Sequence, residues 1–273
     1  MRNISRTTDK IRKFWDSRAV LGHTSGSNDF ILKDLETASI FARIEPESSI
    51  LDIGCGNGET LIALAREKKC SGMGVDFSSE TIKLACQFKK DAGLGDNVFF
   101  ETAQIPGGLR DLGLFDYALT QRCLVNLMTK KDQLQAFLDI MSHVKPGGRY
   151  IMIEDSRQGL DSLNNLRSSL DLEPIPVPWH NLFLVEEDVA KWETDEFRLI
   201  EKPRAIASTY YFLSRVIYAK IATDQGLMPE EMRYDSEINL LAYRLPQDIG
   251  DWGAPKMWIW QRMTEKDHHE KER

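Results

Sequence analysis

Two stretches of this 273-residue chain have residue types and spacing suited to chemistry. In 50-ILDIGCGNGET-60, Asp52 precedes glycines at positions 54, 56 and 58, and Glu59 follows them. Glycines at alternate positions after an apolar run let a backbone turn come close to a ligand. In 171-DLEPIPVPWHNLF-183, three alternating prolines stiffen a loop that holds His180 between Trp179 and Asn181. Histidine accepts a proton near neutral pH, which makes His180 the first candidate for a general base. Glu154, closing the apolar run RYIMIE, is the second candidate, or else it orients a substrate hydroxyl or pairs with Arg157.

The glycine turn does not choose its ligand by itself. A dinucleotide turn reads GxGxxG, and Glu59 occupies the place of its last glycine. Asp52 and Glu59 flank the position of a diphosphate, and no Lys or Arg lies between Arg43 and Arg66 to offset them. Like charges in a desolvated site repel strongly, so the expected ligand is neutral or cationic there. S-adenosylmethionine, with its ammonium and sulfonium groups, meets that condition. Asp76 lies eighteen residues after Gly58 and is placed to accept hydrogen bonds from ribose hydroxyls, of NAD or of S-adenosylmethionine alike. A helix N-cap is its alternative role. Phe77 beside it is placed to lie against an adenine.

The elements that must position these residues alternate between strand and helix, the pattern of a mostly parallel sheet covered by helices. Strands are expected at Ser48 to Ile53, Ser71 to Asp76, Asn97 to Ala103, Phe115 to Thr120 and RYIMIE. Helices are expected from about Gly58 to Lys69, from Ser78 or Ser79 to Asp91, and from Thr129 to a stop at Lys145-Pro-Gly-Gly. The second half predicts helices over Ser156 to Leu170, Glu186 to Glu193, Thr209 to Thr223 and 235–246, with strands at Phe197 to Ile206 and 256-KMWIWQRM-263. No linker divides the halves. The expected organisation is one domain over 1–273: cap helices in 1–47, a cofactor-binding core in 48–155, substrate-side insertions and the last two strands in 156–263, and a charged tail in 264–273.

A net charge of −7 with scattered Lys and Arg argues against a nucleic-acid partner. Cys55, Cys70, Cys86 and Cys123 lack zinc-site spacing and are read as small core residues. No metal is expected, and His268 and His269 are read as surface residues. The first fifteen residues lack the apolar core of a secretory signal and no apolar run reaches about 20 residues, so the expected compartment is the cytoplasm.

LDIGCGNG, GVD at the second strand, FDYALTQRCL and HVKPGGRYIMIE together resemble the successive motifs of class I S-adenosylmethionine-dependent methyltransferases over about residues 48 to 155. The resemblance implies a Rossmann-like α/β fold. Its seven-stranded sheet has order 3-2-1-4-5-7-6 with strand seven antiparallel, helices on both faces and helical insertions over the active site. It implies that Asp52, Gly54 and Gly56 hold the methionine end of the cofactor, that Asp76 holds the ribose, and that Ala103 meets the adenine. Thr102 stands where many relatives have Asp, so Gln104 is the alternative adenine contact. Gln121 is implied to lie beneath the sulfonium. KFWDSRA resembles a lead-in helix whose Trp15 and Arg18 cover the cofactor.

The downstream segments RCLVNLMTKKDQ, PIPVPWHNLF and TYYFLSRV are similar to a bacterial subgroup that modifies polysaccharides and small metabolites. A small or sugar-containing acceptor is therefore expected, methylated on a hydroxyl or, alternatively, a nitrogen. Trp179 and Asn181 are candidate acceptor contacts, and Tyr211 and Arg215 candidate contacts to an anionic group such as a nucleotide-sugar phosphate. A cofactor-binding homologue without turnover and an NAD-dependent oxidoreductase are the competing classes. His143 is expected to complement a helix C-terminus, and Trp252, Trp258 and Trp260 to pack in the core.

Overall fold

The computed structural model describes residues 2–109, 112–228, 231–265 and 267, with residues 2–6 as backbone alone. His268, His269 and most of the charged tail lie outside the described residues. Seven strands form one sheet in the order β3-β2-β1-β4-β5-β7-β6. They are β1 (Ser49–Ile53), β2 (Ser71–Asp76), β3 (Val98–Thr102), β4 (Phe115–Gln121), β5 (Val144–Asp155), β6 (Phe197–Ala205) and β7 (Pro255–Arg262). β1 to β5 pair in parallel, whereas β7 runs antiparallel to both β5 and β6. This is the expected Rossmann-like order.

Alternation along the central strands divides the core into two layers. Tyr150, Met152, Trp258 and Trp260 enter the layer formed with Phe137 and Ile140 of α5 (Lys130–Ser142). Ile151, Ile153, Met257 and Ile259 enter the opposite layer, with Leu61 and Leu64 of α3 (Glu59–Lys68) and Ile82 and Ala85 of α4 (Ser79–Asp91). Two further helices precede the sheet, α1 (Arg2–Arg18) and α2 (Phe30–Phe41). After β5 come α6 (Arg157–Ser168) and the short α7 (Glu186–Val189).

Helix starts follow local chemistry. Ser78, Thr129 and Ser156 each accept a hydrogen bond from a first-turn amide of α4, α5 and α6, which settles Ser78 over Ser79 as a cap. His143 caps the end of α5, its Nδ1 lying 2.8 Å from the Asp139 carbonyl.

Three expectations need correction. β5 begins at Val144 and runs through Lys145-Pro-Gly-Gly, because Phe115 of β4 pairs with Val144 before the register shifts. The helix expected over Thr209 to Thr223 is three pieces: α8 (Ser208–Tyr211), a π-helical stretch (Phe212–Tyr218) and α9 (Ala219–Asp224). Among the cysteines, Cys86 is exposed. The last helix, α10 (Glu237–Arg244), lies within the expected 235–246 and is capped by Ser236.

Glu154, the penultimate residue of β5, has 0% exposure and lies on the α5 side of the sheet. Its Oε1 accepts from the amides of Cys123 (3.1 Å) and Leu124 (3.0 Å), and its Oε2 from the amide of Val125 (3.2 Å). The carboxylate thus holds the turn after β4, and it does not line the cleft described below. Its expected role as a base is corrected to that of a loop anchor. Glu154→Ala would strand three amides away from water. The expected outcome in urea denaturation is a loss of about 3 kcal/mol of stability.

Candidate active site

A cleft of about 890 Å³ opens past the carboxyl ends of β1, β2 and β4 and is roofed in part by α1. Gly54 and Cys55 both donate to the Val75 carbonyl, at 2.8 and 3.1 Å, which turns the chain sharply off β1. Gly54 has φ +70°, and a Cβ there would meet Cys123 Sγ at 2.5 Å. Gly56, at φ +53°, faces open space, so its backbone is free to approach a ligand.

Asp76 sits at the end of β2 with both oxygens oriented by backbone. Oδ2 accepts from Gly56 N (3.1 Å) and Oδ1 from Ser78 N (2.8 Å). Phe77, Ala103 and Gln104 line the same end of the cleft. Thr102 is exposed and does not line it, so the expected Thr102 contact is corrected in favour of Gln104, which also accepts from Arg12 Nη2 at 3.0 Å. Gln121 lines the centre and accepts from Thr60 Oγ1 at 2.7 Å. Asp52 lies under the turn, 1% exposed, with Oδ2 lacking a hydrogen-bond partner. Burial, and then the nearby Asp76 charge, push its carboxyl up to about 7.

The roof is aromatic. Trp15 lines the cleft and donates from Nε1 to Asn126 Oδ1 at 3.1 Å, tying α1 to the turn after β4. His180 also lines it, stacked on Phe14 with ring centroids 4.5 Å apart. Its Nδ1 is buried without a partner, as is Asn181 Oδ1 beside it. Burial, with the Arg18 charge adding to it, holds His180 below its usual pKa and therefore neutral at pH 7.

Four other sequence candidates lie outside the lining. Arg18 donates to the carbonyls of Ser25 (2.6 Å) and Thr24 (3.1 Å) and so shapes the turn after α1. Trp179 is 48% exposed and packs on Phe14 with the Lys10 ammonium over its ring. Arg215 is paired with Asp29, which also accepts from Tyr210 Oη at 2.8 Å. Its guanidinium lies over the Tyr211 ring, 5.4 Å from the centroid. The anion-binding expectation for Arg215 and Tyr211 is corrected on this ground: the cation already has its counter-ion.

The sequence reading of the charges also changes. Glu59 is met by Lys33 Nζ at 2.5 Å and by His23, both brought in from the N-terminal segment. It is not the bare carboxylate that local sequence suggests. Sequence reasoning also missed the ion pair of Glu36 and Arg122 (2.9 Å) and the neighbouring Asp155, all of which line the cleft. The available signal was Arg122 itself, a charged residue placed directly after a buried strand.

Comparison with known proteins gives the family and the fold. A family described as "Methyltransferase domain" matches residues 44–192, more than half of the chain. Norajmaline N-methyltransferase of Rauvolfia serpentina is 26% identical over 141 residues, covering 50% of this chain and 47% of the relative. Demethylmenaquinone methyltransferase of Lactiplantibacillus plantarum is 33% identical over 110 residues, covering 40% and 45%. The chain thus spans under half the length of these curated relatives. Among solved structures, a chain of the complex between the Haloferax volcanii Trm112 methyltransferase activator and a methyltransferase superposes with a TM-score of 0.61. It shares 19% identity over 92% of this chain and 98% of that one, a likeness of fold. Among the described residues no helix is long and apolar enough to cross a membrane.

Buried carboxyls give the fold a pH dependence. Burial raises Glu36, Asp52 and Glu154 to about 7 and Asp155 to about 6. In the unfolded chain these groups ionise near pH 4. Between about pH 4 and 7 the folded state therefore holds more protons, and stability falls as pH rises through that window. The depressed His180 opposes this, but as a single group against several raised carboxyls. A urea midpoint lower at pH 8 than at pH 5 is the expected result for the ligand-free protein, and a higher one would contradict the assignment.

Proposed function

The chain belongs to the methyltransferase-domain family, and from that premise we propose that it transfers a methyl group from S-adenosylmethionine to a small acceptor bound in the same cleft. The observation that carries the reading is Asp76, whose carboxylate is held by two backbone amides next to a turn with open space at Gly56. The residues present fit the cofactor. Asp76 would take the ribose hydroxyls, while Phe77, Ala103 and Gln104 would enclose the adenine. Gly54 and Gly56 would allow close approach of the methionine end, with the partnerless Asp52 carboxyl beneath the turn. The cofactor supplies a methyl group already activated on a sulfonium.

What remains for the protein is positioning, exclusion of water and removal of one proton. Trp15 roofs the cleft against solvent, and Phe14 backs His180. His180, neutral at pH 7 and fixed by its stack on Phe14, is the proton acceptor in this reading. Asn181 beside it would orient the acceptor. The acceptor expected from sequence, a sugar hydroxyl or alternatively a nitrogen, would occupy this same cleft. A nucleotide-sugar phosphate has less support, because Arg215 is already engaged by Asp29.

Calorimetry with S-adenosylhomocysteine and with NAD tests the cofactor. The thioether product is expected to bind and NAD to bind far more weakly; preference for NAD would overturn the proposal. Asp76→Ala should weaken S-adenosylhomocysteine binding by about 1 to 3 kcal/mol, the range for losing charged hydrogen bonds. His180→Ala should lower turnover about a hundredfold while leaving cofactor affinity intact, and full activity would remove it as the base.

A further inference from the structure

The acceptor end of the cleft carries a charge pattern that narrows its ligand, given the cofactor placement proposed above. β2 and β5 are separated by β1 and β4 in the sheet, three strand spacings or roughly 14 Å. Asp76 stands at the β2 end, and Arg122 and Asp155 stand at the ends of β4 and β5. With the ribose on Asp76, the far side over β4 and β5 is left for the acceptor.

The cleft is lined by six carboxylates, Asp34, Glu36, Glu59, Asp76, Asp132 and Asp155, against two cations, Lys33 and Arg122. Both cations are already paired, Lys33 with Glu59 at 2.5 Å and Arg122 with Glu36 at 2.9 Å. Asp132 is bonded by the Thr129 hydroxyl at 2.7 Å, and Asp34 is exposed. Asp155 is different. It is 8% exposed, it lines the cleft, and among the described residues its carboxylate receives no hydrogen bond; its opposite charge is the Arg122 guanidinium, which Glu36 already engages. Lys256, on the strand paired with β5, is turned to Glu186 (3.0 Å) and Asp251 (2.9 Å) instead.

We propose that Asp155, beside the Glu36–Arg122 pair, forms a cation subsite and that the methyl acceptor is a small amine with an apolar body, bound as its ammonium. A buried carboxylate lacking donors is costly unless a ligand provides them, and an ammonium offers both donors and charge. Among the described residues that line the cleft an anionic acceptor finds no free cation, and it meets repulsion from Asp155. The apolar body has Phe30, 45% exposed at the cleft, and Met128 to cover it. The chemistry balances. An ammonium acceptor and a sulfonium donor become a methylated ammonium, a thioether and one proton; the proton passes to His180 before nitrogen bonds to the methyl carbon and the C–S pair stays on sulfur.

The test uses three probes of one shape and different charge: benzylamine, benzyl alcohol and benzoate. Each is titrated calorimetrically into the full chain, with and without saturating S-adenosylhomocysteine. Benzylammonium is expected to bind at least tenfold more tightly than the alcohol, and benzoate most weakly. Asp155→Asn should weaken the amine about tenfold without changing S-adenosylhomocysteine affinity, and Asp155→Glu should keep the amine preference. Alcohol or benzoate binding as tightly as the amine, no binding by any of the three, or an unchanged amine affinity in folded Asp155→Asn overturns the subsite. The wild-type ranking needs no variant to fold. Failure of S-adenosylhomocysteine to bind overturns the cofactor assignment instead, while the amine ranking is still read on the free chain.

Discussion

β1 is hydrogen-bonded to β2 on one side and β4 on the other, and this reversal of strand order is the constraint on which the site depends. The segments leaving β1 and β4 must diverge, since α3 packs on one face of the sheet and α5 on the other. A crevice opens between them where no side chain closes the end of the sheet. The glycine turn, the Glu154-anchored turn after β4 and the roof helix α1 are three ways of shaping that one opening. Glu154 matters most among the unseen supports, because it fixes three successive amides of the turn that also carries Arg122 and Asn126.

Electrostatics then divides the crevice. Near β2 a single carboxylate, Asp76, is oriented by backbone amides and still offers lone pairs to hydroxyls. Beneath the turn, Asp52 is buried deeply enough that its charge depends on what lies above it. Near β5 the Glu36–Arg122 ion pair and a second acid, Asp155, face the opening. A low-dielectric wall strengthens each of these effects, and the pairing of Lys33 and Arg122 leaves carboxylates as the unpaired charge. The same arrangement that welcomes a sulfonium disfavours phosphate throughout the cleft.

Much of the fold was legible because its signals are local. Apolar runs with glycine stops mark the parallel strands, and serines or threonines before amphipathic stretches mark α4, α5 and α6. The π-helical stretch at Phe212–Tyr218 was not legible, since its hydrogen bonds shift by one residue without any change in apolar pattern. Nor was the early start of β5, where pairing with Phe115 overrides a proline and two glycines. At the site, motif residues near strand ends were found because strand ends are where ligands sit. Glu154 and Asp155 show the limit of that reasoning. They are adjacent in sequence and alternate faces of the strand, so one is sealed under a turn and the other lines the cleft.

Taken alone, the sequence determined the strand order expected by resemblance, the glycine turn and the acid that follows β2. These depend on backbone conformation and on residues a few positions apart. Only the tertiary structure decided which charges are free. Lys33 reaches Glu59 from 26 residues away, Arg122 reaches Glu36 across 86, and Arg215 reaches Asp29 across 186. Coulomb energy depends on distance in space and on burial, neither of which chain spacing records. That is why the cofactor end could be read from one motif and the acceptor end had to wait for the fold.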